Sequence, residues 1–114
     1  MGGPEEHATG VMRASLDSDH ATPIETPWGK YALHLLGDEV VCVQAFCPHM
    51  DGPLFEGTRA GPRLVCPWHG WIFDLSSCER VDPGEGERAC LVRLSVVDRG
   101  EEGLVLQQMN ARES

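Results

Sequence analysis

The stretch CPHMDGPL at residues 47–54 is followed by CPWHGWIF at residues 66–73, and the two segments share a pair of unusual side chains. Each contains one thiol and one imidazole, in a turn that also contains glycine and proline. Cysteine and histidine are ligands that zinc and iron–sulfur centres use in proteins. The two segments therefore predict a structural zinc site, an iron site for electron transfer or, without a metal, two ordinary turns.

The order of the ligands separates the two kinds of metal site. Structural zinc sites usually place two cysteines in one loop and two histidines in another, whereas each loop is mixed in this chain. A binuclear iron–sulfur cluster with two unlike irons needs mixed loops. One iron would take Cys47 and Cys66, and the other would take His49 and His69. The pattern favours iron, and zinc stays open as the alternative.

Other residues of the two loops suit a rigid cradle for a cofactor. Pro48 and Pro67 follow the two cysteines and restrict the backbone before any metal arrives. Gly52 and Gly70 allow a positive φ angle or a close approach of the backbone to a cofactor. These four residues are therefore predicted to support the ligands.

The rest of the chain shows the pattern of short strands separated by turns. Residues 30–36 alternate between apolar and polar side chains, Gly37-Asp38 supplies a tight turn, and residues 40–45 form a β-branched return strand. Further strands are predicted at residues 22–26, 63–66, 71–75, 80–81, 91–97 and 104–108. No segment has a convincing helical period. The sequence predicts an all-β fold, a small antiparallel sandwich or barrel.

Composition excludes some classes of function. The formal net charge of −9 over 114 residues argues against nucleic acid or an anionic membrane as a partner, because either would need a basic patch. No apolar run is long enough to cross a bilayer, and the first residues lack the pattern of a signal peptide. The five cysteines are an odd number, which favours free thiols or metal ligands over a disulfide framework. We expect a cytoplasmic protein.

The ligand pattern C-x-H, followed after 16 residues by C-x-x-H, resembles that of the Rieske 2Fe–2S ferredoxin family. The segment GWIFD at residues 70–74 is similar to the continuation of this motif in Rieske domains of dioxygenase and nitrite-reductase-type systems. The resemblance implies antiparallel β-sheets with two cluster loops at one tip. It implies that His49 and His69 lie near solvent, where electrons enter and leave. It also implies a Pro/Gly loop over the cluster, for which Pro83 is the candidate.

The sequence departs from the respiratory members of this family at four positions. Those proteins carry a bracing disulfide between the loops, whereas this chain has Gly52 and Trp68 at the two places. They also carry a serine and a tyrosine that donate hydrogen bonds to the cluster, where this chain has Trp71 and Phe73. Hydrogen bonds to the cluster sulfurs stabilise the reduced state, and this chain lacks two of the donors. We therefore expect a low-potential carrier. Trp68 and Trp71 could shield the cluster from water or form part of a docking surface for a partner. The alternative is that they only pack against neighbouring side chains.

The domain organisation follows from composition and from the extent of the resemblance. Residues 1–22 are rich in Gly, Glu, Ser, Asp and Thr, which predicts a flexible N-terminal arm. The Rieske domain is predicted at residues 23–108, and residues 109–114 are predicted to be a C-terminal tail.

The leading functional hypothesis is a soluble ferredoxin that carries single electrons from a reductase, expected to be flavin-dependent, to a terminal oxygenase or similar enzyme. A chain of 114 residues has no room for a separate catalytic iron site, so we do not expect it to catalyse substrate chemistry alone. A second hypothesis is the small Rieske subunit of a nitrite-reductase-like NAD(P)H enzyme. A third, from another class, is a structural zinc module that binds other proteins.

Overall fold

A computed structural model describes residues 6–47, 52–68, 70–81 and 89–108 of the chain. These residues form ten β-strands and three short 3₁₀ turns, at Arg13–Ser15, Leu54–Glu56 and Gly100–Glu102, and contain no α-helix. No helix in the described part is long and apolar enough to span a membrane.

Six strands form the larger sheet, in the order β1-β10-β9-β4-β3-β2, and every neighbouring pair is antiparallel. It contains the hairpin of β3 and β4, in which Leu33 lies opposite Cys42. The positive φ angle of Gly37 allows the tight turn between the two strands. The bounds are β1 Glu6–Ala8, β2 Thr22–Thr26, β3 Gly29–Leu36, β4 Glu39–Gln44, β9 Arg93–Asp98 and β10 Leu104–Gln108.

Four short strands form the smaller sheet, in the order β5-β6-β7-β8, again with antiparallel neighbours. At the centre of this sheet Leu64 lies opposite Phe73. The bounds are β5 Thr58–Ala60, β6 Arg63–Val65, β7 Ile72–Asp74 and β8 Glu79–Arg80.

The buried side chains form two apolar clusters, and β4 contributes to both of them. Because side chains alternate along a strand, Val41 and Val43 belong to one cluster and Cys42 belongs to the other. The first cluster packs the larger sheet against the smaller one, and it contains both predicted cysteine ligands. Its other members include Leu54, Leu64, Trp71, Phe73, Leu75 and Leu91.

One basic side chain connects the sheets, and a histidine is buried near it. Arg59 of β5 donates from Nη2 to the carbonyl oxygen of Leu35 on β3 at 2.7 Å, and also to the carbonyl oxygen of Ser18. His34 of β3 is buried, with 1% of its surface exposed. Burial, and secondarily the charge of Arg59, lowers the pKa of His34 to about 4. His34 is therefore neutral at physiological pH.

The structure confirms the predicted all-β fold with antiparallel sheets. Strands β2 and β10 have the predicted bounds, and the other predicted strands differ by one or two residues at their ends. The prediction missed β1 and β5, which have three residues each.

The described residues of the predicted N-terminal arm contact the larger sheet. Strand β1 pairs with β10 at the edge of the larger sheet, with His7 opposite Leu106. Leu16 is buried in the second apolar cluster, against residues that include Leu33. This segment is therefore held to the sheet by backbone pairing and by a buried leucine, which its polar composition concealed.

Candidate metal centre

The first predicted loop leaves the larger sheet at the end of β4. Backbone hydrogen bonds close its base, because the amide of Cys47 donates to the carbonyl oxygen of Gly52 at 2.8 Å, and Phe46 forms a β-bridge with Pro53. The chain then enters the 3₁₀ turn at Leu54, a fully buried residue. Cys47 and Gly52 are thus held at the two ends of a short closed loop.

Two aromatic side chains flank the described ends of this first loop. The rings of Phe46 and Phe55 meet edge to face, with their centroids 5.9 Å apart. The ammonium nitrogen of Lys30 lies 4.6 Å from the centroid of the Phe55 ring. This cation–π contact ties strand β3 to the loop.

The second predicted loop connects β6 with β7 as a hairpin. The amide of Cys66 donates to the carbonyl oxygen of Trp71 at 2.8 Å, and the amide of Gly70 donates to that of Cys66 at 3.0 Å. Gly70 has a φ angle of 74°, in the left-handed region that favours glycine. The predicted role of Gly70 in the turn is therefore seen in the backbone.

Gly52 is the point where the two loops meet. A Cβ atom at this position would lie 3.2 Å from Sγ of Cys66 and 3.0 Å from two ring atoms of Trp68. The carbonyl oxygen of the same glycine accepts the hydrogen bond of Cys47. One residue thus lies beside the sulfur of the second cysteine and binds the backbone of the first. Two buried cysteines on separate turns that share a contact with one glycine fit the cysteine half of an iron–sulfur site.

Both cysteines are buried, at 2% exposure for Cys47 and 1% for Cys66. Phe73 is completely buried in the same apolar cluster, and Trp71 is 9% exposed. A low-polarity surrounding of this kind limits the access of water to a metal centre and so tunes its redox potential.

The remaining three cysteines lie outside this centre, and none of the five cysteines is in a disulfide. Cys42 is fully buried in the second apolar cluster, and burial raises the pKa of its thiol to about 12. Cys78 is also buried, which raises the pKa of its thiol, whereas Cys90 is exposed. The structure gives these thiols no place at the two loops.

The two tryptophans of the second loop have different surroundings. Trp68 is 58% exposed although its ring packs against Gly52, and Pro67 beside it is exposed as well. Trp71 points inward, and its ring is covered by the guanidinium group of Arg80, whose Cζ atom lies 3.5 Å from the ring centroid. The sequence analysis missed Arg80 as a site residue, because it comes nine positions later in the short strand β8 and no motif marks it.

Several of the predicted site residues lie outside the described part of the chain. These are the two histidine ligands and two supporting prolines, namely His49, His69, Pro48 and Pro83. Among the described residues no group of three or more Cys, His, Asp or Glu side chains forms a metal site. The assignment of all four ligands therefore stays a prediction.

Comparison with known proteins identifies a family. The model of the Rieske [2Fe-2S] domain family matches residues 12–97. Among curated proteins, apoptosis-inducing factor 3 of Homo sapiens is 34% identical over 70 residues, which cover 60% of this chain and 12% of the relative. Methylxanthine N1-demethylase NdmA of Pseudomonas putida is 45% identical over 47 residues, which cover 40% of this chain and 13% of the relative. The matched segments are thus a small part of these much longer relatives.

Solved structures share the fold. A ferredoxin of Sphingomonas yanoikuyae B1 superposes with a TM-score of 0.73 at 19% identity, over 90% of this chain and 97% of the ferredoxin. A chain from the complex of reduced oxygenase and oxidised ferredoxin in carbazole 1,9a-dioxygenase superposes with a TM-score of 0.78 at 17% identity, over 93% of this chain and 96% of the other. At such identities the likeness shows the fold alone, and it confirms the predicted Rieske-like architecture.

Proposed function

Because the chain belongs to the Rieske [2Fe-2S] domain family, we propose that it transfers single electrons from a reductase to a terminal oxygenase or a related redox enzyme. Membership of the family implies a Rieske-type 2Fe–2S cluster, which supplies a one-electron redox couple when it is bound. The observation that carries the proposal is the meeting of two buried cysteines at Gly52.

The proposed ligands are Cys47 and Cys66 for one iron and His49 and His69 for the other. The closed loop bases support the cysteine half, because each amide hydrogen bond fixes the backbone of a ligand before a cluster is bound. The two histidines are assigned from the motif, and they are proposed as the points where electrons enter and leave.

The proposed partners are a flavin-dependent reductase as donor and an oxygenase as acceptor. Two relatives support this choice. One is named a demethylase and the other is named the oxygenase component of 3-ketosteroid-9-alpha-monooxygenase of Rhodococcus rhodochrous, and this chain is similar to a segment of each. The fold shared with a ferredoxin supports a carrier role. Five cysteines without a disulfide support a cytoplasmic location.

Spectroscopy of the purified protein tests the cofactor and its ligands. The wild-type chain should show visible absorption with two irons and two sulfides, and a Rieske-type EPR spectrum after reduction with dithionite. Cys47→Ser and Cys66→Ser should lose the cluster, while Cys90→Ser, at an exposed position outside the loops, should keep it. A colourless protein that contains stoichiometric zinc would instead establish the zinc module.

A coupled assay tests the electron-transfer role separately. The loaded chain, mixed with NADH and the flavin-dependent reductase of a Rieske dioxygenase system, should increase the reduction of cytochrome c, and the Cys66→Ser variant should not. A fully loaded chain that gives no increase with any such reductase would contradict the carrier role. Purification in a stable complex with a larger reductase would favour the alternative of a permanent enzyme subunit.

A further inference from the structure

The ring of Trp68 spans the gap between the two loops of the candidate centre. Its Cγ and Cδ2 atoms lie 3.0 Å from the position of a Cβ atom on Gly52, although 58% of the tryptophan surface is exposed. The side chain comes from the second loop and the glycine from the first, so this contact joins the two segments in addition to the hydrogen bonds at their own bases.

Gly52 is required by this contact and not by its backbone angle. It is absent from the glycines with positive φ, so an alanine would fit the backbone without strain. The added methyl group would lie 3.0 Å from Cγ of Trp68, the ring atom bonded directly to Cβ, so the tryptophan would have to shift by a few tenths of an ångström. Because Cγ cannot move without moving the whole side chain, this shift would loosen the packing of the tryptophan on the first loop.

The same glycine lies beside a proposed ligand. A Cβ atom on Gly52 would also lie 3.2 Å from Sγ of Cys66. The backbone of Gly52 therefore covers Sγ of Cys66 on the side of the first loop, and the tryptophan ring covers Gly52. Removing the ring would leave a gap over Gly52 and admit water toward Cys66.

We propose that Trp68 is a positioning residue that clamps the first loop over Cys66 and so slows the loss of iron from the centre. This inference rests on the proposed assignment of Cys66 as a ligand. An exposed indole that packs on nothing would contribute little to stability. An aromatic ring that packs on a glycine buries the backbone with one face, while its other face stays in solvent. Opening of the loops is the motion that this contact opposes.

The rate of iron release from the loaded protein measures the effect of the Trp68 contact. With bathophenanthroline as the chelator and dithionite as the reductant, Trp68→Ala should release iron about tenfold faster than the wild type, as expected when a well-packed aromatic contact is lost. Trp68→Phe keeps a ring over Gly52 and should restore most of the slow release. Val92→Ala is the matched control, because Val92 is a 56% exposed apolar residue outside both loops and should leave the rate unchanged.

A double-mutant cycle shows whether the tryptophan acts through the glycine. Gly52→Ala should accelerate iron release and alter the EPR line shape in the wild-type background. Its effect should be smaller in the Trp68→Ala background, where the close contact with the ring is gone. Gly37→Ala is the control for general destabilisation, because the left-handed φ angle of Gly37 strains alanine in a distant turn with open space around it. This control should lower unfolding stability without changing the EPR spectrum.

The outcomes separate the clamp from its premises. Wild-type rates of iron release for Trp68→Ala, no rescue by Trp68→Phe, or strictly additive effects in the cycle would each overturn the inference. Retention of the cluster by Cys66→Ser would overturn the ligand assignment. Failure of the cytochrome c assay with normal iron release would remove the carrier role and leave the clamp standing.

Discussion

Arg80 covers the ring of Trp71, with its Cζ atom 3.5 Å from the ring centroid. Trp71 is only 9% exposed, and its carbonyl oxygen holds the amide of Cys66. The cation therefore completes the packing of the residue that anchors the second loop. A guanidinium group stacks on an indole with both its flat surface and its charge, which an alkyl chain cannot reproduce.

We expect Arg80→Met to lower the free energy of unfolding by about 1 kcal/mol, the range of a partly buried cation–π contact. Arg80→Lys should lose less, because it keeps the charge. Urea unfolding followed by tryptophan fluorescence measures the change. Arg63→Met is the control, since Arg63 is exposed on β6 of the same sheet. Equal stability of Arg80→Met and the wild type would show that the stacking contributes nothing.

Burial of His34 makes stability depend on pH. The pKa of His34 is lowered from 6.5 to about 4, mainly by burial and then by the charge of Arg59. Below pH 6.5 the unfolded chain binds a proton that the folded chain does not bind until about pH 4. Stability should therefore fall as the pH drops through this window, by about 2 kcal/mol between pH 7 and about pH 5. Urea unfolding at the two pH values measures the loss.

A leucine of similar size at position 34 removes the titrating group. His34→Leu should flatten the dependence between pH 7 and about pH 5, because leucine does not titrate. Arg59→Met should raise the pKa of His34 slightly, because the larger cause, burial, remains. NMR titration of the His34 ring checks this. An unchanged pH dependence in His34→Leu would show that another group controls acid sensitivity.

Much of this fold could be predicted because its signals are local. The β3–β4 hairpin follows from strict alternation around Gly37-Asp38, and β10 has the bounds that its apolar run predicts. Strand β1 was hidden because its three residues, Glu-His-Ala, carry no strand pattern. It becomes a strand through pairing with β10 at the other end of the chain, where Glu6 lies opposite Gln107.

In the candidate site, too, local features could be predicted from the sequence and contacts between separate segments could not. The ligand motif is local and could be found from spacing, as could the turn at Gly70. The contacts of Trp68 with Gly52 and of Arg80 with Trp71 depend on how separate segments meet in three dimensions. Sequence alone therefore left Trp68 undecided between shielding, docking and packing, and it gave no signal for Arg80.

The thiols should differ sharply in reactivity. Burial raises the pKa of Cys42 to about 12 and also raises that of Cys78, whereas Cys90 is exposed. Since the thiolate is the nucleophile, iodoacetamide at about pH 8 should modify Cys90 alone in the loaded native protein. Mass spectrometry of peptides identifies the modified residue. After the cluster is removed and the chain is unfolded, all five should react. Rapid native modification of Cys42 would contradict its burial.

The reduction potential tests the buried rings beside the two cysteines. Neither Trp71 nor Phe73 offers a hydroxyl group, and both pack in the cluster that contains Cys47 and Cys66. Without hydroxyl donors to its sulfurs, the centre should titrate near the lower end of the Rieske range, at about −150 mV and not near about +300 mV. A midpoint above about +100 mV in a redox titration would contradict the low-potential assignment.

Phe73→Tyr returns a hydroxyl to the position where the respiratory proteins carry one. Phe73 is fully buried, so the added group must find an acceptor inside the core or destabilise the protein. If it donates to the cluster, a hydrogen bond worth about 1 kcal/mol should raise the one-electron potential by about 40 mV. Phe55→Tyr adds the same group at a ring that packs on Phe46 and does not belong to the apolar cluster with the two cysteines, so it should leave the potential unchanged. Equal potentials for the wild type and Phe73→Tyr would mean that this position does not tune the centre.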